Sequence, residues 1–92
     1  MRSEDWIQGP VTRVFDGDTF EMAVTLVGKT NDYPYGPKER IRIDSSAPPP
    51  GTEAGDRAKW RLEALVAGKE VRCYVKSRDE KGFLYCDVTV GG

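Results

Sequence analysis

The stretch VFDGDTF, residues 14–20, predicts a tight β-hairpin, and this hairpin is the starting point for assigning the fold. Asp16 and Gly17 stand between two runs rich in β-branched and aromatic residues, and an Asp-Gly pair in that setting is a strong hairpin signal. The flanking runs, residues 11–15 and 19–26, are therefore predicted as strands one and two. The stretch also carries two carboxylates around a glycine, which is compatible with the acidic edge of a metal site.

A third strand is predicted at residues 39–44, after a loop rich in Gly, Pro, Asn and Asp at residues 28–38. Apolar and charged residues alternate in this strand, which places Ile41 and Ile43 inward. The outward positions of the strand are Arg40, Arg42 and Asp44. Two tyrosines of the preceding loop are predicted to pack the loop rather than to reach a ligand; these are Tyr33 and Tyr35.

A helix is predicted after the proline run at residues 48–50, from residue 52 to about residue 67. Thr52 suits the N-cap, and Gly68 suits the position just past the last turn. The buried face is predicted to consist of Ala54, Ala58, Leu62, Leu65 and Val66. The tryptophans, Trp6 and Trp60, are assigned to the core or to its rim.

Two further strands, residues 70–76 and 83–90, are predicted to form the last hairpin. Both cysteines fall on the inward-facing positions of these strands, and a four-residue loop at residues 78–81 would place Cys73 directly opposite Cys86. Buried free thiols are favoured over a cross-strand disulfide, because a buried cysteine behaves as a small hydrophobic residue.

The predicted order is three strands, one helix and two strands within a single domain of residues 1–92. This order fits an all-β fold with one helix between strands three and four, namely a five-stranded Greek-key β-barrel of the OB type. Closure of the sheet into a barrel removes exposed strand edges, which a domain of this size must protect.

Composition excludes several classes of function. The 92 residues contain no histidine, so the usual histidine-based catalytic and zinc chemistry is absent. The 14 basic and 15 acidic residues leave a net charge of −1, which argues against a general polyanion binder. The chain has no apolar run long enough for a membrane span and starts without a signal-peptide core, so a cytoplasmic protein without membrane contact is expected.

Aromatic side chains on the outer face of the last hairpin form a candidate contact surface. They are Tyr74, Phe83 and Tyr85, with Arg40 and Arg42 on the third strand as further candidates. On OB barrels such aromatics can stack the bases of single-stranded nucleic acid. They can equally cover a protein interface or a homodimer interface, and the lack of basic excess favours the interface.

Four segments together resemble the staphylococcal-nuclease-like (thermonuclease) family. They are RVFDGDTFEM at residues 13–22, RIRI followed by AP, GTEAGDRAKWRLEALVAGKEVRCYV at residues 51–75 and RDEKGFLYCDVTVGG at residues 78–92. The resemblance implies a Ca²⁺-dependent phosphodiesterase that cleaves DNA and RNA. It would make Asp18 a metal ligand, with Asp16 beside it, and Arg42 a phosphate contact.

The chain departs from this family at three of five key side chains. The family's second metal aspartate and its glutamate fall in DSSAPPP, at Ser46 and Pro49 or, without a gap, at Ala47 and Pro50. Phe83 stands where the family has a second phosphate arginine. The family also continues into C-terminal helices, so a bare barrel surface makes a homodimer plausible.

We therefore expect a binding or interaction module with an eroded active site and little or no nuclease activity, which binds single-stranded nucleic acid or a protein partner. Two alternatives remain. One is a Ca²⁺-dependent nuclease in which Asp44 replaces the missing carboxylate and works with Asp18 and Arg42. The other is a homo-oligomeric structural module without a ligand.

Overall fold

The computed structural model describes residues 4–43, 48–49 and 51–91. In these ranges the chain forms six strands and one helix: β1 (Asp5–Asp16), β2 (Thr19–Ala23), β3 (Leu26–Val27), β4 (Lys38–Ile43), α1 (Glu53–Val66), β5 (Glu70–Arg78) and β6 (Leu84–Val90). Asp44, predicted as the end of the third strand and as a candidate metal ligand, lies outside the described residues.

Five of the strands close into a barrel. Strand β1 pairs with β2, β2 with β4, β4 with β6, β6 with β5, and β5 returns to β1. The β4–β6 pairing is parallel and the other four are antiparallel. The two-residue strand β3 pairs with β1 and lies at the end of the strand order. The predicted all-β fold with a closed five-stranded barrel and a single helix is confirmed, with an OB-like arrangement of strands.

The predicted Asp16–Thr19 hairpin is present. The backbone N–H of Asp18 donates to Asp16 Oδ1 at 3.0 Å. This is the hydrogen bond of an Asx-turn, and it stabilises the turn. Neither Gly17 nor Asp18 has a positive φ, so the turn is not one of the mirror-image types that match strand twist. A register shift between Val14 and Asp16 lies next to the turn. A bulge of this kind increases the local twist of the strand, which compensates for a turn whose own twist does not match.

The first strand is longer than predicted. The Gly9-Pro10 pair does not interrupt it, and β1 runs for 12 residues. Pro10 stands opposite Glu70 at the end of the β1–β5 ladder, where its missing N–H costs little. Gly9 lies so close to the Ala23 carbonyl that a Cβ atom there would overlap it. The glycine therefore allows β1 to pass close to the end of β2. The sequence analysis had interpreted the same glycine as a break before the first strand.

Helix α1 follows its predicted boundaries but not its predicted face. The Thr52 side chain accepts the N–H of Gly55, and Gly68 has the left-handed φ of 70° expected just beyond the helix. Leu62 and Val66 are buried, whereas Ala54 is exposed. Leu65 is 57% exposed and Trp60 is 65% exposed, so the prediction that they help to cover the core is wrong. The helix touches the barrel along a narrower stripe than the apolar pattern suggests.

The two cysteines are buried free thiols, as predicted, but the predicted register is wrong. Val75 pairs with Cys86 and Cys73 pairs with Val88, because the loop spans residues 79–83 rather than 78–81 and β5 has a register shift between Val75 and Ser77. Hydrogen bonding to the Cys86 thiol, together with burial, raises the pKa of Cys73. The Cys73 thiol also lies 3.6 Å from the Met22 sulfur within the core.

The long loop before β4 is tied to the start of β1. Asn31 accepts the N–H of Trp6 at 3.0 Å and donates to the Trp6 carbonyl at 2.9 Å, as a strand neighbour would. Tyr35 donates its hydroxyl to Asp5, so its predicted loop-packing role is confirmed. Among the residues described, no helix combines the length and apolar character that a membrane span requires.

Candidate nucleic-acid interface

Arginines and aromatic rings alternate across the outer face of the barrel. We call this set the arginine–aromatic ladder, and it comprises Arg13, Phe15, Arg40, Phe83, Arg42 and Tyr85. At its β1 end, the Arg13 guanidinium lies 5.0 Å from the centre of the Phe15 ring. The Arg40 guanidinium lies 5.5 Å from the same ring, so Phe15 stands between two cations. These separations are within the range of favourable cation–π contact.

The ladder continues from β4 to β6. The Arg40 guanidinium is 6.0 Å from the Phe83 ring, and that of Arg42 is 5.0 Å from the same ring. Arg42 is also 5.9 Å from the Tyr85 ring, and its Nη1 donates to the Tyr85 hydroxyl at 3.4 Å. Phe83 therefore links the two arginines that the sequence placed on the outward face of this strand.

Strand parity and sheet register bring these side chains together. Ile41 is fully buried, so its neighbours Arg40 and Arg42 must project to the outside. In the parallel β4–β6 pairing, Arg42 is the register partner of Tyr85. Arg13 and Phe15, which the sequence analysis did not propose as site residues, join from β1. Phe15 lies at the register shift between Val14 and Asp16, so strand parity alone does not predict that it shares a face with Arg13.

Tyr74, predicted as a member of the same surface, lies apart from the ladder. Its register partners are Trp6 on β1 and Asp87 on β6. The register shift between Val75 and Ser77 separates Tyr74 from Ser77, which is the residue of β5 that pairs with Tyr85. Tyr74 therefore adjoins Trp6, whose ring carries the Arg72 guanidinium at 4.0 Å. The outer face of the last hairpin holds two aromatic groups rather than one.

An acidic corner adjoins the Arg42 end of the ladder, where Asp16 and Asp18 flank the hairpin turn. Thr19 donates its hydroxyl to Asp18 Oδ1 at 3.0 Å. The same hydroxyl accepts a long hydrogen bond of 3.4 Å from Arg42 Nε. The Asp18 carbonyl accepts the N–H of Ile43 at 2.8 Å, which attaches the turn to β4. The structure thus brings together Asp16, Asp18 and Arg42, which the sequence analysis proposed as site residues.

The two carboxyls of this corner differ in their affinity for a proton. Burial raises the pKa of Asp18, and its hydrogen bond with Asp16 and the charge of that neighbour raise it further. Burial also acts to raise the pKa of Asp16, but hydrogen bonds from Asp18 and Thr19 and the charge of Arg42 outweigh it and lower the pKa. The two neighbouring carboxyls therefore titrate as a coupled pair, with the pKa of Asp18 raised and that of Asp16 lowered.

The described residues do not fit a calcium centre. Ca²⁺ takes six to eight oxygen ligands, and carboxylates supply most of its affinity in proteins. No group of three or more Asp, Glu, His or Cys side chains able to hold a metal occurs within residues 4–43, 48–49 and 51–91. Asp16 and Asp18 already accept hydrogen bonds from the turn. Within the described residues, Asp16 and Asp18 supply too few carboxylates to hold a calcium ion at this corner.

Comparison of the chain with protein-family models and with curated proteins gives no match.

Proposed function

We propose that this domain binds single-stranded nucleic acid along the arginine–aromatic ladder and does not cleave it. The observation that carries the proposal is the continuous alternation of three guanidinium groups with three aromatic rings on one outer face. Aromatic rings offer stacking surfaces to bases of any sequence, while guanidinium groups pair with the phosphates between them. A guanidinium plane can itself stack on an unpaired base.

The ladder also supports the view that the domain is staphylococcal-nuclease-like with an eroded active site. Arg42, the candidate phosphate contact, is joined through Thr19 to Asp18 by hydrogen bonds. Phe83 lies beside Arg42 in place of a second guanidinium, and phenylalanine offers no hydrogen bond to phosphate. The exchange turns a phosphate clamp into a stacking surface, which favours binding over cleavage. The proposal places the domain in the cytoplasm, where free thiols such as Cys73 and Cys86 persist.

The test is fluorescence anisotropy with a labelled single-stranded oligonucleotide at low salt. Two ladder variants, Arg40→Gln and Phe83→Leu, are expected to weaken binding. Arg61→Gln, on the exposed face of helix α1, is the matched control and is expected to bind like the parent protein. Equal affinity of all four proteins would refute the ladder as the binding surface.

A homo-oligomeric module without a ligand is a second candidate, with one observation in its favour. Trp60 and Leu65, on the outer side of helix α1, are 65% and 57% exposed. A large exposed aromatic side chain such as Trp60 suits a protein contact, because aromatic residues are enriched at interfaces. Sedimentation at high protein concentration tests this candidate, with Trp60→Lys as the variant that should dissociate a dimer. A monomer at every concentration would reject it.

A further inference from the structure

A pocket of about 550 Å³ lies at one end of the barrel, between the start of β1, the end of β5 and the long loop before β4. Val75 and Leu84, which adjoin the core, give it apolar surface. Helix α1 lies beside a different part of β1, around residues 11–14. The mouths of barrels are common positions for ligands, and this volume is within the range of small-molecule sites.

The charged groups of the pocket do not select an ion, because each is solvated or has a partner. Two carboxylates and two cations share one wall, namely Glu4, Asp5, Lys76 and Arg78. Glu4 is exposed to solvent, and Asp5 accepts hydrogen bonds from the loop. Both cations also pair with carboxylates outside the pocket, at 3.2 and 3.4 Å, and Asp32 has a partner as well. The pocket therefore suits the uncharged part of a ligand.

The walls of the pocket suit a flat ring. Tyr35 donates its hydroxyl to Asp5 at 2.7 Å, which holds its ring in place. Tyr33 is 67% exposed, so its ring is accessible to a stacked ligand. The π-face of every nucleic-acid base stacks on aromatic side chains of this kind. Val75 and Leu84 add aliphatic surface that a ring can also contact.

The polar groups of the same pocket match the edge of a base. The Ser77 hydroxyl both donates and accepts hydrogen bonds, and the Arg78 guanidinium carries five N–H donors. Among the described residues, Arg78 makes two hydrogen bonds, to Gly82 and Glu39, and both are long at 3.4 Å. It therefore keeps N–H groups for a ligand. Unstacked bases present donors and acceptors on their edges, and proteins read single strands through them.

The pocket is continuous with the arginine–aromatic ladder. Ser77 of the pocket is the register partner of Tyr85, which is the last ring of the ladder. Paired strands lie about 4.8 Å apart, so these two residues are neighbours across one strand spacing. Arg78 also bonds to Glu39, which directly precedes Arg40 of the ladder. A strand that lies on the ladder can therefore turn one base into the pocket.

We propose that this pocket receives one unstacked purine base of a single strand bound to the ladder, an inference that rests on the proposed function. The ring stacks on Tyr33 and contacts Val75 and Leu84, and its edge bonds to Ser77 and Arg78. A purine has two fused rings, so it fills more of the pocket than a pyrimidine does. The ladder binds strands of any sequence, and the pocket adds a preference for purine at one position.

Fluorescence anisotropy with the full chain tests the proposal, using a labelled all-thymine strand and the same strand with one central adenine. The parent protein is expected to bind the adenine strand more tightly. Tyr33→Ala keeps the backbone N–H that Asp5 accepts and should weaken the adenine strand roughly 5- to 150-fold, the range of one stacked base. Tyr33→Phe keeps the ring and should retain the tight binding.

The ladder and the pocket give different results in this assay. Arg40→Gln should weaken both strands equally and preserve the advantage of adenine, whereas Ser77→Ala should reduce that advantage. Equal affinity of the parent protein for the two strands, or an adenine advantage that survives in Tyr33→Ala, would overturn the pocket while leaving the ladder in place. Failure of both strands to bind would refute the proposed function and, with it, this inference.

Discussion

Arg40→Gln is the sharpest test of nucleic-acid binding, because the variant should change the salt dependence by a known amount. Each phosphate contact on a single strand contributes about −0.7 to the slope of log affinity against log salt. Three arginines in the ladder therefore give a slope of about −2, which is a loss of about 20-fold in affinity between 50 and 200 mM salt. Removing Arg40 leaves two phosphate contacts, so the slope should become shallower, at about −1.4. The affinity should then decrease by only about 7-fold between 50 and 200 mM salt.

The same assay separates charge from stacking. Phe83→Leu removes a ring but no charge, so it should lower the affinity at every salt concentration without changing the slope. The loss of one stacked base corresponds to about 1–3 kcal/mol, or roughly 5- to 150-fold in affinity. Anisotropy titrations at four salt concentrations measure both quantities. A parent slope near zero, or the same slope for Arg40→Gln and the parent, would refute the assignment of phosphate contacts to the ladder.

Three further predictions concern cleavage and stability. With Ca²⁺ and single-stranded DNA or RNA, the protein and Asp18→Asn should both show no cleavage on gels, and cleavage that disappears in Asp18→Asn would contradict the eroded site. Asn31→Ala removes both hydrogen bonds to the Trp6 backbone and should cost about 1–3 kcal/mol, seen as a lower Tm by circular dichroism. In denaturant unfolding, Leu62→Ala should lower the free energy of unfolding by about 2–5 kcal/mol, because Leu62 is buried. Leu65→Ala should change it by less than about 0.5 kcal/mol, because Leu65 is exposed. Equal effects of the two variants would contradict the observed buried face of the helix.

Local patterns were sufficient to predict the barrel but not the exact register of its strands. The Asp16-Gly17 turn and the alternation around Ile41 depend on neighbours in sequence, and both are present. The partner of Cys73 depends instead on loop length and on a register shift in β5, which parity alone does not reveal. Gly9 shows the same limit, because its role comes from the close approach of a strand that is distant in sequence.

The candidate site was predicted in part for a related reason. Arg40, Arg42, Phe83 and Tyr85 were found because each lies on the outward side of a strand with a clear period. Arg13 and Phe15 on β1 do not follow from the same pattern, since that strand has two register shifts, between Val11 and Arg13 and between Val14 and Asp16. Only the closed sheet shows which residues of β1 share the outer face with Arg40 and Arg42 of β4.

The net charge of −1 counted against nucleic-acid binding in the sequence, and the structure weakens that objection. What a strand of phosphates meets is the local arrangement of charges within a Debye length of about 8–10 Å, not the total. The ladder groups Arg13, Arg40 and Arg42 on one face, while carboxylates such as Asp5 are buried elsewhere. Asp16 opposes phosphate at the Arg42 end of the ladder, and Glu21, the register partner of both Arg13 and Arg40, opposes it at the other end. A bound strand should therefore run its phosphates along all three arginines of the ladder and turn its bases toward Phe83 and Tyr85.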